Sequence, residues 1–226
     1  MVDRIIVFAA HPDDETLGCG GTILKKASEG FEIVVVVMTD GRHSLSKNFG
    51  IISHPTPDEL TRIRKKELIE AAKVLNVPKN NLRFFDFEDG TLAEHRAEAG
   101  KKVVEVIDQL KPVEVYFPYE KDSNKDHRAA SRIISDAVKS MGSSTLQYQY
   151  SIAQTFSRIS PFVARLLNFF LHHLVFIDVS QSLGKKEAAI RKYRSQTTII
   201  ASGQKKPVIT DVNKFLKTKE MFYYRR

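Results

Sequence analysis

Short, continuously apolar runs alternate with longer amphipathic stretches along most of the 226-residue chain. Arg4–Ala9 and Phe31–Met38 are short and rich in Ile and Val, the pattern of strands buried on both faces. Leu82–Phe87 and Val113–Phe117 repeat it. The stretches between them place apolar residues at helical spacing. These are Leu17–Ser28, the segment after Asp58 (Leu60, Ile63, Leu68, Ala71, Ala72, Leu75), Glu94–Leu110 and Ala129–Ser140. Gly30, Asn76-Val77-Pro78, Pro112 and Gly142 punctuate their ends. Strand, helix and strand within about 35 residues make a βαβ unit, which crosses over right-handed. The alternation predicts an α/β fold with a mostly parallel sheet. Arg42–Pro57 reads as a loop, long for a connector and placed to act as a lid. Leu146–Ile152 and Val175–Val179 read as further strands. Ser160–Leu174 reads as a helix with a broad Phe-rich apolar face, too short and too polar to span a bilayer. It suits core packing, a homo-oligomer contact or a membrane surface. Leu183–Arg194 reads as a basic helix, and Lys205–Arg226 as a basic, less regular tail. No repeat or low-complexity linker divides the chain, so a single domain over 1–226 is expected.

The polar clusters fall where strands stop. His11-Pro12-Asp13-Asp14-Glu15 follows the first strand, and Tyr119–Arg128 follows the fourth. In open α/β sheets ligands bind outside the strand carboxyl ends, at the point where strand order reverses. The two segments can meet there although 116 positions separate His11 from His127. Pro12 stiffens the first turn, so His11 and Asp14 can aim at one point. A nitrogen and an oxygen there, with His127 as a third ligand, would bind Zn²⁺ and leave an open position. Asp13 would be left over to act as general base on metal-activated water, which suits amide or ester hydrolysis. A second reading fits the first segment equally well: Asp13, Asp14 and Thr16 are also good helix-start residues. His43 and His54 are candidate ligands by residue type alone.

Composition narrows the classes. Hydrophobic content of 42% and charged content of 27% are ordinary for a globular protein. Asp3 and Arg4 interrupt the N-terminus and argue against a secretory leader. A single cysteine, Cys19, excludes an internal disulfide and suits the cytoplasm. The net charge of +8 is lopsided: residues 1–120 carry 16 Lys+Arg against 20 Asp+Glu, and residues 121–226 carry 19 against 7. A basic half can serve an anionic ligand or surface, or only solvate the fold. A glycine fingerprint for dinucleotides, a phosphate loop and a nucleophile elbow are all absent. A nucleic-acid role would rest on charge alone, and no specific nucleic acid is expected.

Ala10-His11-Pro12-Asp13-Asp14-Glu15 with Gly18-Cys19-Gly20-Gly21 resembles the signature of the LmbE/PIG-L family of zinc-dependent N-acetylglucosaminyl deacetylases. The resemblance continues through Thr39-Asp40-Gly41, Arg64-x-x-Glu67, Asp126-His127-Arg128, and Lys186 to Tyr193-x-Ser195-Gln196. It implies a Rossmann-like three-layer fold and a metal on His11, Asp14 and His127. It implies Asp13 as the base and an N-acetylated sugar or glycoconjugate as substrate. Arg64 resembles the family arginine that contacts the sugar, although an ion pair on the helix surface would also explain it. Many members carry His-x-Asp-His in the second motif; here the first histidine is Asn124. Asparagine can bind substrate through its amide but carries no proton at neutral pH. Asp126 would orient a ligand from behind or cap the helix. The expectation is therefore a carbohydrate N-deacetylase using Zn²⁺, with Fe²⁺ as the other candidate metal. Alternatives are a hydrolase of another acylated amine, such as a nucleotide-linked or lipid-linked sugar at a membrane surface, and a non-enzymatic basic binding module.

Overall fold

A computed structural model describes residues 2–142, 144–152 and 174–225. Strands β1 (Arg4–Ala9), β2 (Glu32–Thr39), β3 (Leu82–Phe87), β4 (Glu114–Pro118) and β5 (Leu146–Tyr150) run parallel to one another. Strands β6 (Leu174–Asp178) and β7 (Lys219–Arg225) complete the sheet in the order β3-β2-β1-β4-β5-β7-β6. β7 lies antiparallel between β5 and β6.

The uninterrupted apolar character of β1 and β2 follows from burial on both faces. Ile5, Val7 and Ala9 face one core, which also holds Cys19 and Ile23 of α1 (Asp14–Ser28) and Leu68 and Ala71 of α3 (Pro57–Val74). Ile6, Phe8 and Ala10 face the other, with Val103 of α4 (Arg96–Leu110) and Ile133 of α5 (Lys125–Ser140). Each such side chain contributes about 1.5–3 kcal/mol on burial. The helices thus form the two outer layers of a three-layer α/β fold.

Three differences from the sequence reading bear on the site. The expected loop after β2 contains a short helix, α2 (Ser44–Phe49), whose Leu45 packs on Leu60 and Ala201 in a small separate core. The expected irregular tail contains β7. Its place in the sheet depends on pairing with distant strands, so a local pattern flanked by charges conceals it. The basic segment after β6 is split into α6 (Leu183–Ile190) and α7 (Arg194–Thr197). The Phe-rich segment 160–173 lies outside the described residues. Among the described residues no helix is long and apolar enough to cross a membrane.

Strand order reverses between β1 and β4, which are direct parallel neighbours. Both polar turns therefore emerge side by side at the carboxyl ends of these strands.

Candidate metal centre

The turn after β1 runs into α1, whose first residue is Asp14. The helix-start reading is correct for the backbone, but no acidic side chain in the turn caps the helix. The carboxylates are aimed elsewhere. Asp14 Oδ2 accepts from the His11 amide at 2.8 Å and lies 3.3 Å from His11 Nδ1. The same oxygen lies 3.1 Å from His127 Nε2, which is 3.3 Å from His11 Nδ1. His127 stands in the first turn of α5, where Asn124 Oδ1 caps the helix by accepting from the Asp126 amide at 2.8 Å. His11, Asp14 and His127 are all at least nine-tenths buried.

These three atoms pass a geometric test for a divalent cation. Ligands about 2.0–2.1 Å from a tetrahedral ion stand about 3.3 Å from one another. The separations found are 3.1, 3.3 and 3.3 Å. Two imidazole nitrogens and one carboxylate oxygen also make an ordinary donor set for a catalytic zinc.

The opposite edge of His11 meets two more carboxylates. His11 Nε2 lies 3.3 Å from Asp126 Oδ2 and 3.3 Å from Asp89 Oδ1. Asp126 also accepts from the Gly90 and Leu92 amides, and Asp89 Oδ1 holds the Lys47 ammonium at 2.5 Å. An ammonium on that oxygen disfavours a second cation there. The pair instead fixes the His11 ring and its tautomer from behind. Asp122 Oδ1 faces His127 Nδ1 at 3.2 Å as a charge partner, without hydrogen-bond geometry. Asp126 was anticipated; Asp89 and Asp122 were not. The available signal for Asp89 was that Glu88-Asp89-Gly90 is another polar turn past a strand end. His43 is turned away and pairs with Glu88 at 3.0 Å.

Asp13 adopts φ 128° and ψ −27°, a conformation that costs a residue with a Cβ about 1–3 kcal/mol. Its side chain is buried, with Oδ2 3.1 Å from Arg64 Nη2. Arg64 also donates to the Pro12 carbonyl, and to the Gly41 carbonyl at 3.0 Å. Only 3% exposed, Arg64 is therefore engaged with the protein in the turn that carries Asp13. Gly41, at φ +67°, is a glycine because a Cβ there would meet the guanidinium at 2.3 Å.

The electrostatics separate the two adjacent acids. Burial raises the Asp13 carboxyl to about 7, with Arg64 pulling against it and Asp14 adding to it. Burial also acts on Asp14, but His127 and His11 outweigh it and hold that carboxyl well below the usual range. Burial opposes charge on His127, yet Asp14 and Asp122 keep its pKa up at about 9. His11 is likewise shifted upward, since Asp126, Asp14 and Asp89 overcome its burial.

Fold and site together define a three-layer α/β protein with a His-Asp-His cation-binding cluster at the switch point of its sheet. The chain belongs to the PIG-L family: residues 6–138 match the family model described as PIG-L, GlcNAc-PI de-N-acetylase. It is 31% identical over 202 residues to diacetylchitobiose deacetylase of Thermococcus kodakarensis, covering 86% of this chain and 70% of that one. It is 27% identical over 204 residues to a probable N-acetyl-alpha-D-glucosaminyl L-malate deacetylase 2 of Bacillus cereus, covering 87% and 85%. The solved N,N'-diacetylchitobiose deacetylase of Pyrococcus horikoshii shares the fold, with TM-score 0.74 at 22% identity, over 99% of this chain and 84% of that one. The chain is thus an enzyme of a deacetylase family, with a cluster able to hold a metal ion.

Proposed function

We propose that this protein is a zinc-dependent hydrolase that removes the N-acetyl group from an N-acetylglucosamine-type sugar or conjugate. The observation that carries this reading is the convergence of His11 Nδ1, Asp14 Oδ2 and His127 Nε2, with a second, differently tuned carboxyl beside them. The relatives' named substrates supply the acetamido sugar. Zn²⁺ suits the nitrogen and oxygen donors; Fe²⁺ is the other metal such a set accepts. A cation held there supplies Lewis acidity, which lowers the pKa of water and polarises a carbonyl.

The rest of the chemistry belongs to the chain. Asp13 takes a proton from the attacking water as oxygen adds to the acetamide carbon. The carbon–nitrogen bond then breaks, and Asp13 returns that proton to the departing amine. Acetate and a free amino sugar are the products. The same carboxyl serves both halves, accepting the proton and later releasing it. This matters because Asn124 occupies the place where many family members carry a histidine. In the structure Asn124 Oδ1 is engaged in capping α5. Arg64 holds the base in place, and Asp126, Asp89 and Asp122 orient the two imidazoles.

Acetate release from N,N'-diacetylchitobiose and from N-acetylglucosamine conjugates, measured with zinc content and with chelator, tests the reading. Asp13→Asn should keep the bound metal and lose about 10²- to 10⁴-fold in turnover. Full turnover by that variant, or activity untouched by complete metal removal, would refute it.

A further inference from the structure

One buried network near the site is not needed to hold a metal. The Asp13 amide donates to Glu15 Oε2 at 3.1 Å. The other oxygen of that carboxylate accepts from the Thr16 hydroxyl and from the Tyr193 hydroxyl, which arrives from 178 positions away. Glu15, Thr16 and Tyr193 are at most 2% exposed. Tyr193 immediately precedes α7, and the residues after it support neighbouring parts of the site. Ser195 donates to Glu67 from its amide at 2.7 Å and from its hydroxyl, one helical turn beyond Arg64 on α3. Gln196 Oε1 accepts from Ser44 of α2 at 3.0 Å.

Asp13 is thus clamped from two sides. Arg64 holds the carbonyl that precedes it and one carboxylate oxygen. Glu15 holds its amide. A residue at φ 128° relaxes unless its surroundings fix it there. Glu15 cannot fix it alone, because its other partners, the Asp13 amide and the Thr16 hydroxyl, belong to the same turn and move with it; Tyr193 is the partner that ties this carboxylate to a distant part of the fold.

We propose that Tyr193, acting through Glu15, is a positioning residue that keeps Asp13 in its left-handed conformation with its carboxyl turned into the site. This rests on the reading of Asp13 as the base. Removing the Tyr193 hydroxyl leaves the metal ligands untouched but leaves the Glu15 carboxylate held only from within its own turn, by the Asp13 amide and the Thr16 hydroxyl. The base then drifts, and displacements of about 1 Å cost on the order of 10²-fold in rate.

Tyr193→Phe tests this, with Tyr116→Phe as control. Tyr116 is another fully buried tyrosine whose hydroxyl donates to a carboxylate, Glu114 Oε2 at 2.7 Å, on β4 and away from the site. Both variants lose one buried hydroxyl–carboxylate bond, so both lose stability alike. Only Tyr193→Phe should lose kcat, by about 10- to 100-fold, with KM and zinc affinity by chelator competition unchanged. Its crystal structure should show the Asp13 backbone displaced. Unchanged kcat, an equal loss in both variants, a change confined to KM or zinc affinity, or an unmoved Asp13 would each overturn the proposal.

If Tyr193→Phe does not fold, Glu15→Gln decides. A glutamine oxygen can still accept from the Asp13 amide, but its NH2 cannot accept from the Thr16 and Tyr193 hydroxyls as Oε1 does, so kcat should fall about 10- to 100-fold with KM and zinc affinity unchanged. A folded Glu15→Gln protein with wild-type kcat overturns it. Failure of the underlying reading looks different: the wild type releases no acetate, or Asp13→Asn retains full activity.

Discussion

At the scale of single residues, the cluster shifts two adjacent carboxyls in opposite directions. Asp14 is held ionised by two imidazoles, whereas burial lifts Asp13 to about 7. The histidines carry a consequence for pH. In the metal-free protein the pKa of His127 is raised to about 9, against about 6.5 for an unfolded histidine. A raised folded pKa contributes stability that is complete below about 6.5 and is lost as pH climbs to about 9. Metal binding runs the other way, because both imidazoles must shed protons to ligate. The apo protein is expected to lose thermal stability between pH 6.5 and 9, while zinc affinity rises and zinc uptake releases protons. Calorimetry in buffers of different ionisation enthalpy counts those protons. Zinc affinity flat across the interval, with none released, would contradict the assigned ligands. The convergence of His11, Asp14 and His127 was legible in the sequence because both polar turns follow strands that become neighbours at the switch point of the sheet. Asp89, Asp122 and Tyr193 were not. Asp89 and Tyr193 touch partners far away in sequence, Asp122 faces His127 only five residues on, and all three are residue types that turns and cores use for many other purposes.

At the scale of elements, α3 carries Arg64 and Glu67 to the site, and its entry is set by a local device. Thr56 Oγ1 accepts from the Glu59 amide at 3.3 Å, while Glu59 Oε2 accepts from the Thr56 amide at 2.8 Å. Pro57 at the first helical position supplies a preset φ and lacks an amide that would go unpaired. This capping box places the helix start at Pro57. The apolar periodicity alone points to Asp58, which is an acidic first-turn residue rather than the cap. Thr56→Ala should destabilise the fold by about 0.5–2 kcal/mol. The urea midpoint should shift with an unchanged denaturant slope, and kcat should stay at wild-type level while the protein is folded. A loss of kcat without a midpoint shift would mean that Thr56 acts on the site rather than on the helix. Elements with strong internal periodicity, such as β1, β2, α4 and α5, could be read directly. α2 could not, since six residues with two buried positions carry too little pattern. β7 could not, since Lys219, Glu220 and Arg225 flank an apolar run of only four residues, Met221 to Tyr224.

At the scale of the whole molecule, that same Glu220 joins the two ends of the chain. Its carboxylate accepts from the Gly21 amide at 2.9 Å, from the Thr22 amide at 2.8 Å and from Lys186 Nζ at 2.6 Å. Lys186 Nζ also donates to the Leu17 carbonyl at 3.0 Å. β7, α6 and α1 are thereby locked together beneath the turn that bears the site. The glycines of α1 permit this approach: a Cβ on Gly21 would stand 2.6 Å from Val179, and one on Gly18 2.3 Å from Tyr150. Removing one partner of a buried ion pair leaves the other charge uncompensated, at about 3–5 kcal/mol. Lys186→Met and Glu220→Leu should each incur a loss of that order. The double substitution should not incur both. Leu17 O and Gly21 N stand at the spacing of one helical hydrogen bond within α1, so neither is left without a helical partner once both charges are gone. The double variant is therefore expected to be more stable than either single variant. Equilibrium denaturation of all four proteins gives the coupling energy directly. Strictly additive losses would show that the pair is not a clamp, and that β7 is held by its strand pairing and apolar contacts without it.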